Sequence, residues 1–310
     1  MSAMAAPDIS ELGNPRGGSI RRRRRLAFGK GLLLAAVCIA GSILGAMPSV
    51  AKPSRIVSMN LCTDQITLAL ADRERIASLS YLVAKPDGST AAEAARGILL
   101  NHGLSEEILP LEPDLVIAGR YTSRPTVFLF QRLGYNLIEM DISRSIPDIR
   151  ARIRSLGTAV GEEQRAEALI EEFDERLASL TDGAGGRRPT AVYLQPNGYT
   201  AGRGSLVGDI IEHAGFENLG ARFDISGHGK VPLETLLSAA PDVIITDEEK
   251  PRAPALAYEI LKHPAFAALT AKAHRVTVPT RYWVCGMPET IRAVEILAEA
   301  RRHIGKGGAP

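Results

Sequence analysis

Two stretches of the chain follow one pattern. Glu106-Glu107-Ile108-Leu109-Pro110-Leu111-Glu112-Pro113-Asp114-Leu115-Val116-Ile117 aligns without a gap on Glu234-Thr235-Leu236-Leu237-Ser238-Ala239-Ala240-Pro241-Asp242-Val243-Ile244-Ile245. Each has a Glu, then a pair of apolar residues, then Pro-Asp and three branched or long apolar residues. The physics of one copy is plain. A short helix starts near the Glu, where negative charge suits the helix N-terminus. Proline ends that helix, and the apolar run enters a sheet covered on both faces. The unit occurring twice predicts two related α/β halves. Either Glu is explained by helix-end electrostatics alone. As a pair they also place two carboxylates, Glu106 and Glu234, at equivalent points of the two halves, an arrangement suited to docking onto basic sockets of a two-subunit partner.

The rest of the chain fits around this repeat. Apolar strand-like runs at Ile56-Val57-Ser58-Met59, Ile76 to Leu79, Leu115 to Ala118 and Asn136 to Met140 alternate with helical spacing. The order restarts after Arg188 with Ala191 to Leu194, a helix from Leu206 to Ala214, and strands at Val243 to Thr246 and Arg275 to Val278. Strands alternating with helices predict parallel sheets. Between the halves, Ile146, Ile149, Ile153, Leu156 and Val160 fall at helical spacing. After Gly161, Ala166, Leu169, Ile170, Phe173, Leu177 and Leu180 form a second apolar stripe. At 1.5 Å per residue this second helix spans roughly 28 Å, and Asp182-Gly183-Ala184-Gly185-Gly186 stops it. A helical link is stiff, so this block is expected to act as a spine and not as a tether.

The N-terminus carries a different message. Arg21 to Arg25 form a positive block, Leu32 to Met47 an apolar stretch, and Ser49-Val50-Ala51 a small-x-small site before Lys52. That is the layout of a secretory signal peptide with cleavage near Ala51. The apolar run is shorter than the roughly 20 residues of a spanning helix; an uncleaved anchor is the alternative. Sec and twin-arginine export are both open. Residues 1–51 hold seven of the 37 Lys and Arg but two of the 35 Asp and Glu, so the remainder is slightly acidic. That balance argues against nucleic-acid binding. The expected organisation is residues 1–51 as leader, 52–144 as the first lobe, 145–186 as the helical link, 187–305 as the second lobe and 306–310 as a disordered tail.

These features together resemble a known group. Arg55-Ile56-Val57-Ser58, Leu111 to Ala118, the helical segment from Ser145 to Leu180, Val231-Pro232-Leu233-Glu234 and Ala240-Pro241-Asp242 are similar to the periplasmic substrate-binding proteins of metal-chelate ABC importers, the vitamin B12- and ferric-siderophore-binding family. The resemblance covers residues 54–304. It implies two Rossmann-like lobes joined by a long rigid backbone helix, with the ligand in the cleft between them and limited hinge motion. It also implies a monomer in the periplasm that delivers a corrinoid or ferric siderophore to permease subunits. One Glu per lobe would contact permease arginines, and those positions match Glu106 and Glu234. Haem is the alternative cargo, with His228 and Tyr121 as possible axial groups. No bound cofactor, metal centre or catalytic residue is expected.

Ligands of parallel sheets bind beyond the carboxyl ends of the strands. The loops there carry Asn60, Tyr81, Arg120, Tyr121, Tyr199, Tyr282 and Trp283 as candidate ligand contacts, with Asn197 beside them. Aromatic faces with polar tips suit flat macrocycles and catecholates. Arg120, Arg203 and Arg281 suit anionic cargo. Because the cleft candidates are mostly uncharged aromatics, a corrinoid is favoured over an anionic siderophore, with the arginines pulling the other way. Cys62 and Cys285 also fall in these loops, one per lobe. A bridge between them would clamp the cleft, two free thiols or a labile redox gate are alternatives, and two unremarkable half-buried cysteines is the favoured reading. Gly202-Arg203-Gly204-Ser205 has the look of a phosphate loop but lacks the dinucleotide fingerprint, and turn chemistry accounts for it. A chelate-processing enzyme and a sensor built on the same lobes are the rival functions.

Overall fold

Both copies of the repeat enter their sheets in the same way. In the computed structural model, which describes residues 51–181, 187–247 and 264–306, β4 (Leu115–Gly119) lies parallel to β1 (Ile56–Ser58) with Leu115 opposite Ile56. In the second half β10 (Val243–Thr246) lies parallel to β6 (Thr190–Tyr193) with Val243 opposite Ala191. The leader, the Asp182–Gly186 stop and the tail beyond Lys306 fall outside the described residues. Glu112 and Ala240, one residue before each Pro-Asp, both take left-handed backbone angles (φ 44° and 43°), a conformation uncommon for residues with a side chain. The aspartates explain the Pro-Asp pair. Asp114 accepts hydrogen bonds from the Ser54 and Arg55 amides (2.7 and 2.9 Å) and the Ser54 hydroxyl (2.8 Å). Asp242 accepts from the Thr190 amide and hydroxyl (2.7 and 2.9 Å). Each carboxylate therefore stitches the entry of the neighbouring strand. Partial burial pulls both carboxyls upward, but these donors, with the Arg187 guanidinium beside Asp242, outweigh it and hold them below their ordinary value.

Around these pairs two parallel sheets are built. The first adds β2 (Ile76–Ser80), β3 (Leu100–Asn101) and β5 (Leu137–Met140) in the order β3-β2-β1-β4-β5. The second adds β8 (Glu217–Asn218) and β11 (His274–Thr277) in the order β11-β10-β6-β8, and an antiparallel ribbon of β7 (Tyr199–Ala201) and β9 (His228–Lys230) stands beside it. Every strand expected from the sequence is present. The pairs missed, β3, β8 and the β7–β9 ribbon, are two or three residues long and too short to show a period. The first lobe carries α1 (Leu61–Leu70), α2 (Ser105–Ile108) and α3 (Arg124–Arg132).

The spine is α4 (Ile146–Val160) followed by α5 (Glu163–Thr181). It is a hairpin of two antiparallel helices and not a single rod. The Ser145 hydroxyl caps α4 by accepting from the Asp148 amide (3.3 Å), and Gly161 ends it at φ 72°, where a glycine avoids the cost of a side chain. Ile146, Ile149, Ile153, Leu156 and Val160 are fully buried, each contributing on the order of 1.5–3 kcal/mol. Ion pairs Arg150–Asp174 and Arg154–Glu167, both 2.7 Å, cross the hairpin. At its turn Glu162 meets Lys52 (2.9 Å) and Arg75 (2.6 Å) of the first lobe. A single apolar cluster runs from Ile56, Ile66 and Ile117 through Ile149 and Phe173 to Ile210 and Ile245, so the spine is embedded in a core that both sheets share. The second lobe carries α6 (Leu206–His213), α7 (Leu219–Arg222), α8 (Leu233–Ala239) and α9 (Pro264–Thr270), and α10 (Ile291–Lys306) closes the chain, its Glu295 paired with Arg176 of α5 at 2.6 Å.

In α1, Asp64 is fully buried and accepts from the Ser80 amide (3.2 Å) and hydroxyl at the end of β2. Burial pushes its carboxyl up to about 7, against hydrogen bonds from Ser58 and Ser80 that favour the charged form. A raised carboxyl means that the folded state binds more protons than the unfolded one between pH 4 and 7, so stability falls as pH rises through that window. Asp64→Asn has no such titration. Its stability relative to wild type is expected to improve by up to about 4 kcal/mol between pH 4 and pH 8, measured by urea unfolding; parallel pH profiles would refute the assignment.

Candidate ligand cleft between the lobes

The carboxyl ends of β4, β5, β6 and β11 face one another across the junction. Between them lies a cavity of about 350 Å³. Tyr121, Ile142, Ser143 and Arg144 line it from the first lobe and the start of the spine. Tyr193, Gln195, Ser205 to Val207, His228, Thr280, Trp283 and Val284 line it from the second. Tyr121 sits on the rim and is 77% exposed, whereas Trp283 is only 3% exposed and forms part of the wall. Trp283 meets Tyr193 edge to face, with ring centroids 5.0 Å apart. Behind both rings stands Asp247, which follows β10. Its carboxylate accepts from the Tyr193 hydroxyl (2.8 Å), the Trp283 indole (3.3 Å) and the Gln195 amide (3.5 Å). One carboxylate therefore fixes the orientation of two aromatic faces.

Of the residues selected from the sequence, the structure brings Tyr121 and Trp283 to this cavity, together with His228. The others lie elsewhere in the strand-end loops. Asn60 caps α1, its side chain accepting from the Cys62 amide (3.0 Å). Tyr81 stacks on His102 at 4.7 Å with Lys85 over its ring. Arg120 pairs with Asp141 at 3.1 Å. Tyr199 lies under Lys230, and Tyr282 beside Arg281. Arg203 pairs with Asp224 at 2.6 Å and borders a different groove. Among the described residues Arg144 is the one arginine lining the cavity. Sequence reasoning missed Tyr193, Gln195, Arg144 and Asp247. Tyr193 reads as the last residue of a buried strand, and Arg144 falls at the boundary between lobe and link. Gln195 and Asp247 were findable, because both follow strands whose ends were already located.

Gly202-Arg203-Gly204-Ser205 is a helix cap and not a phosphate loop. The Ser205 hydroxyl accepts from the Gly208 amide (3.1 Å) and donates to the Gly202 carbonyl (2.6 Å), starting α6. Cys62 and Cys285 form a disulfide with Cα atoms 4.9 Å apart. It joins the first turn of α1 to the segment after Trp283; Cys285 is 3% exposed, and neither cysteine lines the cavity. Glu106 and Glu234 are exposed in the first turns of α2 and α8, with no ion pair to either among the described residues. The neighbouring Glu107 is used internally, accepting from the His102 amide (2.6 Å) and meeting its ring (2.9 Å).

Two parallel-sheet lobes, a helical spine and a cleft at the strand ends coincide with a family match over residues 56–278. The chain belongs to the periplasmic binding protein family. It is similar to the cobalamin-binding protein of Halobacterium salinarum, with 26% identity over 204 residues covering 63% of this chain and 54% of the relative; the chain thus spans about half the length of that curated relative. Its fold is that of the apo periplasmic heme-binding protein RhuT from Roseiflexus sp. RS-1 (22% identity, TM-score 0.64, 80% of this chain and 98% of that one). It is equally that of the periplasmic vitamin B12 binding protein BtuF of Vibrio cholerae (20%, TM-score 0.63, 83% and 99%). A periplasmic binding protein binds a solute and is not a catalyst. In this member the aromatic wall depends on Asp247. Asp247→Ala removes the carboxylate that accepts from the Tyr193 hydroxyl and the Trp283 indole, so it is expected to cost about 1–3 kcal/mol in urea unfolding and to red-shift the emission of the single Trp. Unchanged emission would show that Trp283 is held by packing alone.

Proposed function

We propose that this protein captures a corrinoid in the interlobe cleft and delivers it to the permease of an ABC importer. The observation that carries this reading is the lining: Tyr121, Tyr193 and Trp283 supply flat faces, Ser143, Gln195, Ser205 and Thr280 supply neutral polar groups, and Arg144 is the one permanently charged side chain lining it among the described residues. Such a surface suits a flat macrocycle bearing neutral amides better than a strongly anionic chelate. The cavity of about 350 Å³ is at the low end for ligand sites, so a macrocycle would be gripped by one end with the rest projecting past Tyr121. The named ligand of the Halobacterium relative and of the Vibrio structure supports the same cargo.

A specific observation favours haem as the second reading. Tyr121 and His228 line the same cavity from opposite lobes, and haem proteins use such groups as axial ligands. Titrating residues 52–310 with cyanocobalamin, hemin, a ferric hydroxamate and a ferric catecholate, read by Trp283 fluorescence, separates these cargoes. Saturable one-to-one quenching by cyanocobalamin at about micromolar concentration or below is expected, and Trp283→Ala, which lacks the fluorescent reporter, is expected to bind about tenfold (~1.4 kcal/mol) more weakly in equilibrium dialysis. A Soret shift with hemin that disappears in Tyr121→Phe or His228→Ala, without a cyanocobalamin response, would replace the corrinoid by haem.

Export follows from the leader, with cleavage near Ala51 and lobes at residues 52–144 and 187–305 around the 145–186 link; the mature protein acts as a monomer. Glu106 and Glu234, outward-facing on matching helices of the repeat, are the docking carboxylates for basic sockets on the permease subunits. Reversing both (Glu106→Lys with Glu234→Lys) is expected to leave cargo affinity within about twofold, since surface changes remote from a site rarely exceed ±0.5 kcal/mol, while uptake in cells falls sharply. Undiminished uptake by the double variant would remove them from the docking surface.

A further inference from the structure

We propose that the Cys62–Cys285 disulfide is the positioning element of the cleft: it holds the Trp283–Val284 wall at a set distance from the first lobe and so presets the gap that cargo enters. The inference rests on the interlobe cavity being the cargo site. Its two ends are unequal in rigidity. Cys62 lies in the first turn of α1, whose cap is Asn60 and whose first turn is pinned by Asp64 to the end of β2. Cys285 lies in an irregular segment between two single-turn helices, Thr280–Tyr282 and Pro288–Thr290. A covalent bond from a fixed helix to an irregular segment orders the segment.

That segment carries the wall. Val284, adjacent to Cys285, and Trp283, one residue further back, both line the cavity. Two further contacts hold the same few residues. The buried Arg152 of α4 donates to the Cys285 carbonyl (2.9 Å), and the Ser143 hydroxyl donates to the Gly286 carbonyl (3.4 Å). A side chain at Gly286 would place its Cβ 2.5 Å from that of Ser143, so the segment passes hard against the start of the spine. The disulfide joins residues 223 apart in sequence, and the chain between them crosses the junction by the α4–α5 hairpin. The lobes are therefore tied at two separate places. One tie leaves rotation in every direction; two leave rotation only about the line through both. Neither cysteine lines the cavity, and Tyr121 and Val284, which do, remain 77% and 49% exposed, so the bridge sets the gap without occupying the space that cargo enters.

Reduction by a dithiol delivers two electrons and two protons to the bridge, giving two cysteine thiols and leaving the reductant as its own disulfide. The test compares the oxidised mature protein, the same protein reduced with dithiothreitol, and Cys62→Ala with Cys285→Ala. Acrylamide quenching of Trp283 and hydrogen exchange of the Trp283 and Val284 amides, which donate to the Thr280 carbonyl at 3.1 and 3.0 Å, need no cargo. With far-UV circular dichroism unchanged, reduction is expected to raise quenching about threefold and exchange at these amides about tenfold, as local opening does. Cyanocobalamin affinity is expected to fall about tenfold through loss of preorganisation. Should the double variant not fold, the reduced wild type decides the matter. Quenching and exchange unchanged in folded, reduced protein would overturn the proposal. Oxidised protein that shows these changes on reduction yet ignores cyanocobalamin would overturn only the corrinoid assignment.

Discussion

The burial of one apolar stripe on each helix of the α4–α5 hairpin is the constraint on which the molecule hangs. Ile149, Ile153 and Leu156 from one helix and Ile170 and Phe173 from the other belong to a cluster that continues into both sheets. Neither lobe has a closed core of its own on that side, because the residues that would close it are supplied by the spine. The two sheets are consequently held with their carboxyl ends facing, and the cleft is what remains where the spine does not fill the space. Glu162, meeting Lys52 and Arg75 at the hairpin turn, adds a polar fastening on the first-lobe side.

Within that frame the chemistry of the cleft is set by a few buried polar contacts. Asp247 orients Tyr193 and Trp283, and Arg152 reaches from the spine to the backbone of the segment that carries Trp283. These groups act through geometry. A flat ligand gains little from an aromatic ring free to turn, because ordering that ring on binding subtracts from the contact. The wall is therefore built before a ligand arrives.

The repeat shows how far sequence pattern reaches. Glu106 and Glu234 were legible because they open matching segments, and the structure places both on exposed first turns. The equally repeated Asp114 and Asp242 were visible but silent. Their partners, Ser54 with Arg55 and Thr190, lie more than fifty residues away, and nothing local reveals a bond across that distance. Strand-end loops were located correctly, yet a loop has an inside and an outside. Tyr121 and Trp283 turned toward the cavity, whereas Tyr81 and Tyr199 stacked against His102 and Lys230.

From the order of residues alone came the α/β class, the two halves, the helical link and the family likeness, because each rests on periodicity, on punctuation by Gly and Pro or on a repeat, all carried by near neighbours in the chain. Only the folded molecule decided that Cys62 and Cys285 are bonded, that Asp64 is a buried carboxyl, that Asp247 backs the aromatic wall, and that Arg144 faces the cleft while Arg120 and Arg203 are paired elsewhere. Those facts depend on which distant segments meet, and that is set by the packing of two sheets against one hairpin, a property of the whole core and of no segment within it.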